Sequence, residues 1–158
     1  MIVKNDETII STCLSSVAGL FDEIVVVDTE ATDRTREFAQ EFGARVFDFV
    51  WVDDFAAARN AALARATSDD AFWLDADDVI DPPEREKLRA LLESLSRENA
   101  TRSDGGLHPP YESDGTSAYV VRCSCDPGPN GDGGQTVVDH IRLFPLREDV
   151  SWTYRVHE

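Results

Sequence analysis

Along the chain, continuous apolar runs alternate with stretches whose apolar residues recur at helical spacing, and this alternation stops after residue 97. The opening "MIV" predicts the end of a strand. Asp6 or Thr8 can cap a helix over residues 9–18, closed near Gly19. "EIVVVD" (23–28) is an unbroken apolar run ending in acid, as expected of a parallel strand buried on both faces. The polar "TEATD" turns the chain. Thr32 or Asp33 can then cap a helix over residues 34–42, which Gly43 terminates. "ARVFDF" (44–49) predicts the next strand. Asp53 or Asp54 caps "FAAARNAALARA", which is rich in strong helix formers. "AFWLD" (71–75) predicts a fourth strand, and Pro82-Pro83 suits the start of a helix running to about residue 95.

The order β-α-β-α-β-α-β-α implies a parallel sheet with right-handed crossovers, in the Rossmann-like class. Residues 98–115, "ENATRSDGGLHPPYESDG", are polar and rich in breakers, and predict a mobile loop. Residues 116–125 and 135–145 predict strands joined by the flexible "DPGPNGDGG", and "SWTYRVHE" (151–158) predicts a short closing strand. The chain is thus expected to form a single domain over 1–158: a mostly parallel sheet flanked by helices, followed by a β-rich part.

Composition narrows the function classes. A length of 158 residues allows one domain with a real core. The formal net charge is −16, which argues against nucleic acid and anionic membranes as partners. It is compatible with a bound divalent cation, although most acidic proteins hold none. Three cysteines (13, 123 and 125) in no regular framework suggest reduced thiols and a cytoplasmic setting. Cys123 and Cys125 alternate onto one face of a strand, with no second pair to complete a metal site. The apolar start is interrupted by Lys4-Asn5-Asp6-Glu7, unlike a signal peptide, and no run approaches a membrane span.

"FWLDADDVID" (72–81) carries the candidate chemistry: an apolar strand runs directly into Asp75, Asp77 and Asp78, with Asp81 close behind. Ligands of open parallel sheets bind beyond the carboxyl ends of the strands, and Asp28 and Asp75 both stand at such ends. Clustered carboxylates repel one another, and a cation offsets that cost. Carboxylates two residues apart can reach one small ion from a turn, and Mg²⁺ or Mn²⁺ accepts such oxygen ligands while leaving positions for phosphate. A D-x-D alone is a common accident of acidic surface turns. A calcium loop is a further candidate, but the Gly and distal Glu of an EF-hand are missing.

"MIVKNDE", "DEIVVVDT…ATDRT", "FGARVFDFVWVDDFAAARNAAL" and "WLDADD" together resemble successive blocks of glycosyltransferase family 2, of GT-A fold, over residues 1–97. "HIRLFP" and the terminal "RVHE" resemble a later block over roughly 136–158. The resemblance makes 1–97 a nucleotide-binding half and 116–158 an acceptor-side half. It implies a nucleotide-diphospho-sugar donor (UDP- or GDP-sugar), an acceptor that it does not identify, a divalent cation, and inversion at the anomeric carbon. It places Asp77 on the metal, Asp75 near the donor ribose or a metal-bound water, and Asp28 at the nucleotide base. Arg59 in "ARN" would lie near base or phosphates. Lys4, Asn5 and Glu7 at the first strand's exit, with Asp33, would lie near the nucleotide; helix capping accounts for the first three equally well. His157 would approach the metal and Glu158 would be the general base, with Asp139 next in line.

Two departures stand out. Glu30 occupies a position where the family's turn commonly has a glycine, which reaches positive φ cheaply. The chain also stops at His157-Glu158, where family members usually continue, so a truncated acceptor side and at most slow donor hydrolysis are expected. The alternatives are a non-catalytic nucleotide-sugar-binding domain and, ranked last, a nucleotidyltransferase, which would want a glycine-rich loop that "MIVKNDETII" lacks.

Overall fold

A computed structural model describes residues 1–103, 118–125 and 136–155. Three β-α steps come first: β1 (Ile2–Val3), α1 (Ile10–Ser16), β2 (Val25–Asp28), α2 (Thr35–Glu41), β3 (Arg45–Asp48) and α3 (Phe55–Leu63). β4 (Asp70–Phe72) and α4 (Pro82–Ser103) follow, then β5 (Tyr119–Cys125) and β6 (Thr136–Pro145).

β1, β2 and β3 form a parallel sheet with β2 at its centre, as the apolar run of β2 requires. The register sets Val3 against Asp28 and Asp28 against Asp48, so the three strands end level on one rim. Val3, Ile10, Leu14, Val26 and Ala39 form a buried cluster, and Ala76 reaches into it from the turn after β4. That contact fixes the turn's position relative to the rim.

The predicted elements recur with local differences. Asp54 caps α3 through Ala57 N–H (3.0 Å). α1 has no side-chain cap: the Asp6 backbone carbonyl accepts from Ile9 and Ile10 N–H, while the Asp6 carboxylate turns back to Lys4 N–H. Gly43 ends α2 at φ 79°, a conformation that glycine reaches at little cost. α4 runs on to Ser103, so residues 98–103 are helical rather than part of the expected loop. The Glu and Arg residues of that stretch form helix well, and no breaker occurs before Gly105. Residues 104–117, and the expected hairpin connection at 126–135, lie outside the described residues.

β4 pairs antiparallel with β6, which also pairs antiparallel with β5. The C-terminal part is therefore strand-rich, and the sheet of β4, β6 and β5 stands beside the parallel one. Residues 151–155 form no strand, contrary to expectation. Their backbone is held by side-chain and loop groups of α3 instead: Asn60 donates to Trp152 C=O (2.9 Å) and accepts from Trp152 N–H (2.8 Å), and Phe55 N–H donates to Arg155 C=O (3.0 Å). Among the described residues, no helix is long and apolar enough to cross a membrane.

Candidate functional site

The rim of the parallel sheet is a closed set of polar contacts. Asn5, at φ 57°, accepts from Thr32 N–H (2.8 Å). Glu7 accepts from Arg34 N–H (2.9 Å), and its own N–H donates to Asp33 (3.1 Å). Asp33 also accepts from the Thr35 N–H (3.0 Å) and hydroxyl (2.6 Å), and the same hydroxyl accepts from Asp6 N–H (2.7 Å). Segments 4–7 and 32–35 are thus stitched together by Asn5, Glu7 and Asp33. Desolvation opposes ionisation of Asp33, but the Thr35 and Glu7 bonds outweigh it and hold its carboxyl below the usual range.

Asp28 is only 3% exposed. One oxygen accepts from Ala31 N–H (2.7 Å) and the other from Arg36 (2.8 Å). Arg36 also pairs with Asp48 at the end of β3. Glu30, inside that turn, adopts φ 69°. The chain therefore takes the positive-φ turn expected of the family with a residue that is strained there.

The turn after β4 is built differently. Asp78 accepts from Asp75 N–H (2.8 Å), and Asp78 N–H donates to Asp75 C=O (3.1 Å), which closes residues 75–78 on themselves. Two arginines neutralise the acids. Arg142, from β6 and 6% exposed, lies 2.7 Å from Asp78 and 3.9 Å from Asp75. Arg59, from α3, lies 3.6 Å from the other oxygen of Asp75. Both guanidiniums sit on Trp73, at 3.8 Å (Arg142) and 4.8 Å (Arg59) from the ring centroid, and Arg59 also sits 4.7 Å from Trp152. Trp73 is itself fixed by its indole N–H on Ile141 C=O (2.7 Å).

Asp77 is exposed at the apex, and among the described residues no hydrogen bond or ion pair engages it. It is close enough to the first rim to act on Asp6, whose carboxyl is pushed up by burial first and then by Asp33 and Asp77. Beneath the turn, Cys13 is fully buried, and its thiol donates to Asp75 C=O (3.4 Å). Burial, reinforced by Asp78, raises that thiol to about 12, so Cys13 is no nucleophile.

The structure thus brings Asp75, Asp77 and Arg59 together, and sets Asn5, Glu7, Asp28 and Asp33 along the neighbouring rim. His157 and Glu158 lie outside the described residues. Asp139 is held by Arg122 (3.0 and 3.4 Å), which keeps its carboxyl below the usual range and opposes a role as base. Among the described residues, no group of three or more His, Cys, Asp or Glu side chains is spaced to hold a metal. Sequence reasoning missed Arg142. Its signal is a lone guanidinium inside the apolar strand "IRLFP", where a charge needs a buried carboxylate partner.

The sequence model of glycosyl transferase family 2 matches residues 1–117. A TPR repeat-containing protein of Synechococcus elongatus is 42% identical over 93 residues, 59% of this chain and 23% of that protein. The SPbeta prophage-derived glycosyltransferase SunS of Bacillus subtilis is 26% identical over 160 residues, 100% of this chain and 33% of that protein. The chain therefore spans no more than about a third of the length of these relatives, 23% of the first and 33% of the second. Among solved structures, S. aureus TarS 1-349 is 22% identical, with a TM-score of 0.47 over 74% of this chain and 39% of its own. Since the family's sequence model covers most of the chain, including all the residues that form the parallel sheet, its rim and the 75–78 turn, this chain belongs to glycosyl transferase family 2.

Proposed function

We propose that this protein transfers a sugar from a nucleotide-diphospho-sugar donor to an acceptor hydroxyl, with inversion, at the site between the parallel-sheet rim and the 75–78 turn. The observation that carries this reading is the division of labour in the turn: Asp75 and Asp78 are held by Arg59 and Arg142, and Asp77 is left exposed without a partner among the described residues. One carboxylate beside an open face suits a divalent cation whose other ligands are phosphate oxygens and water. Asp77 would hold Mg²⁺ or Mn²⁺, with His157 as the second candidate ligand. Such a cation supplies neutralisation of the negative charge that grows on a departing nucleoside diphosphate.

The chain's own residues do the rest. Asn5, Glu7 and Asp33 hold the two loops that border the nucleotide. Asp28 would anchor the turn on which the base rests, and Arg36 ties Asp28 to Asp48. Asp75, fixed between two arginines, is pre-set to accept from a donor hydroxyl at no further ordering cost. Glu158 is the candidate base for the acceptor proton.

Calorimetry with UDP and with GDP, with and without Mn²⁺, tests the reading. At least one nucleotide is expected to bind tightly only with the cation, and Asp77→Ala to abolish that dependence. Equal binding by the variant would remove the cation from Asp77. Donor binding without any donor consumption, across a panel of acceptors, would instead mark a binding domain.

A further inference from the structure

The carboxylates that looked as if they required a metal already have counter-charges. Asp75 and Asp78 together carry two negative charges, and Arg59 and Arg142 bring two positive ones within 4 Å of them. Both arginines are largely buried, at 11% and 6% side-chain exposure. Buried counter-charges act through low dielectric and are poorly screened by salt. Among the described residues, what remains uncompensated on the turn is one carboxylate, that of Asp77.

We propose that Arg142 is a positioning residue that, together with Arg59, strips the 75–78 turn of cation affinity of its own, so that a divalent cation is taken up only with ligand phosphate. This rests on the reading that Asp77 is the cation's carboxylate. Arg142 acts at two levels. It braces the turn through Asp78, which in turn closes on Asp75 N–H (2.8 Å), and so fixes where Asp77 points. It also sets the local field. A turn balanced by arginine leaves the cation's affinity to the diphosphate. Arg142 comes from β6 and the turn follows β4, so the strand-rich part sets the electrostatics of the nucleotide side. Its placement is over-determined: besides the acids it stacks on Trp73, donates to Trp73 C=O (3.4 Å) and reaches the Cys123 sulfur (3.5 Å).

Mn²⁺ binding by the nucleotide-free protein, read by the loss of the free-ion paramagnetic resonance signal, tests this without an activity assay. Wild type is expected to bind Mn²⁺ weakly. Arg142→Met keeps an unbranched chain against Trp73 and removes one charge. It should raise nucleotide-free Mn²⁺ affinity at least about tenfold, a lower bound for one charge removed from beside a divalent ion in partly buried protein. Asp78→Asn/Arg142→Met restores the charge balance and should return the affinity to near the wild-type value. A role that is only structural predicts lower or unchanged affinity in the single variant and no recovery in the double one; either result overturns the proposal. If Arg142→Met does not fold, Arg59→Met carries the same expectation through Asp75, and an unchanged Mn²⁺ affinity there overturns it equally. Failure of the underlying reading has a different sign: Asp77→Ala would then retain cation-dependent UDP binding, whatever the arginine variants do.

Discussion

The two acidic regions of this molecule lie close enough for Asp33 and Asp77 both to act on Asp6, and they are built on opposite plans. At the rim of the parallel sheet, Asn5, Glu7, Asp28 and Asp33 all spend their side-chain oxygens on backbone N–H groups, on the Thr35 hydroxyl or on Arg36. At the 75–78 turn, two acids are held by buried arginines and the third is left over. An acid that satisfies backbone groups fixes the shape of a loop. An acid with no partner is available to a ligand. Sequence alone cannot tell these apart, because both regions read as Asp and Glu at strand ends.

The sharpest way to break this comparison is to exchange its terms. Asp78→Ala leaves the buried Arg142 guanidinium, among the described residues, with the more distant Asp75 as its one carboxylate and opens the turn at Asp75 N–H. Loss of one member of a buried ion pair predicts destabilisation of about 3 kcal/mol, measured by urea unfolding. Asp77→Ala should leave stability within about 0.5 kcal/mol, as for an exposed residue with no partner among the described residues, while removing cation-dependent nucleotide binding. If Asp77→Ala were the destabilising variant, the division of labour in the turn would be wrong.

How much of this was legible beforehand follows from which interactions are local. β2 is an unbroken apolar run, Asp54 stands at the head of an Ala-rich helix, and Gly43 stands at a helix end; each acts within a few residues, and each was readable. The departure at Glu30 from the family's glycine was also readable, but not that Glu30 keeps the positive φ. The partner of β4 was not, since an apolar strand after a helix suggests another parallel neighbour, and the antiparallel pairing with β6 joins residues about seventy apart. Arg142 escaped for the same reason: its acids lie 64 and 67 residues earlier in the chain. The backbone of residues 151–155 also looked like a strand, and only the side chain of Asn60 explains why it needs no strand partner.

At the rim, the comparison predicts a smaller but clear cost of stability. Thr35 is fully buried, and its hydroxyl joins Asp6 N–H to Asp33. Thr35→Val keeps the shape and leaves both groups without that partner, so a loss of about 2 kcal/mol is expected. The neighbouring acids should then differ in sign. The folded pKa of Asp33 lies below its ordinary value, so its contribution is present above that value and lost as pH falls through the folded one. The folded pKa of Asp6 is raised by burial first, then by Asp33 and Asp77, so its ionised form costs stability that appears as pH rises through the folded value. Thermal melts at pH 7 should show Asp33→Asn less stable than wild type and Asp6→Asn at least as stable. Both differences should vanish below the carboxylate range. Matching signs for the two variants would mean that Asp6 and Asp33 do the same job.

The smallest expected effect lies where the rim departs from its family. Glu30 holds φ 69°, a left-handed conformation that costs a residue with a Cβ about 1 kcal/mol. Glu30→Gly removes that strain but gives the unfolded chain more freedom to lose, a term of about 0.4–1 kcal/mol in the opposite direction. The two nearly cancel, so stability should move by less than about 0.5 kcal/mol. Binding should respond differently. Glu30 is exposed in the turn that Asp28 closes, and it places a negative charge beside the face proposed for a diphosphate. Removing it should strengthen UDP binding about twofold, with the gain shrinking as salt is raised, as for charges exposed to solvent. Glu30→Gln separates the causes, since it keeps the strained side chain and removes only the charge. Equal gains in the Gly and Gln variants assign the effect to charge. A gain confined to Gly assigns it to the shape of the turn, and would mean that the rim, and not only the 75–78 turn, adjusts to the ligand.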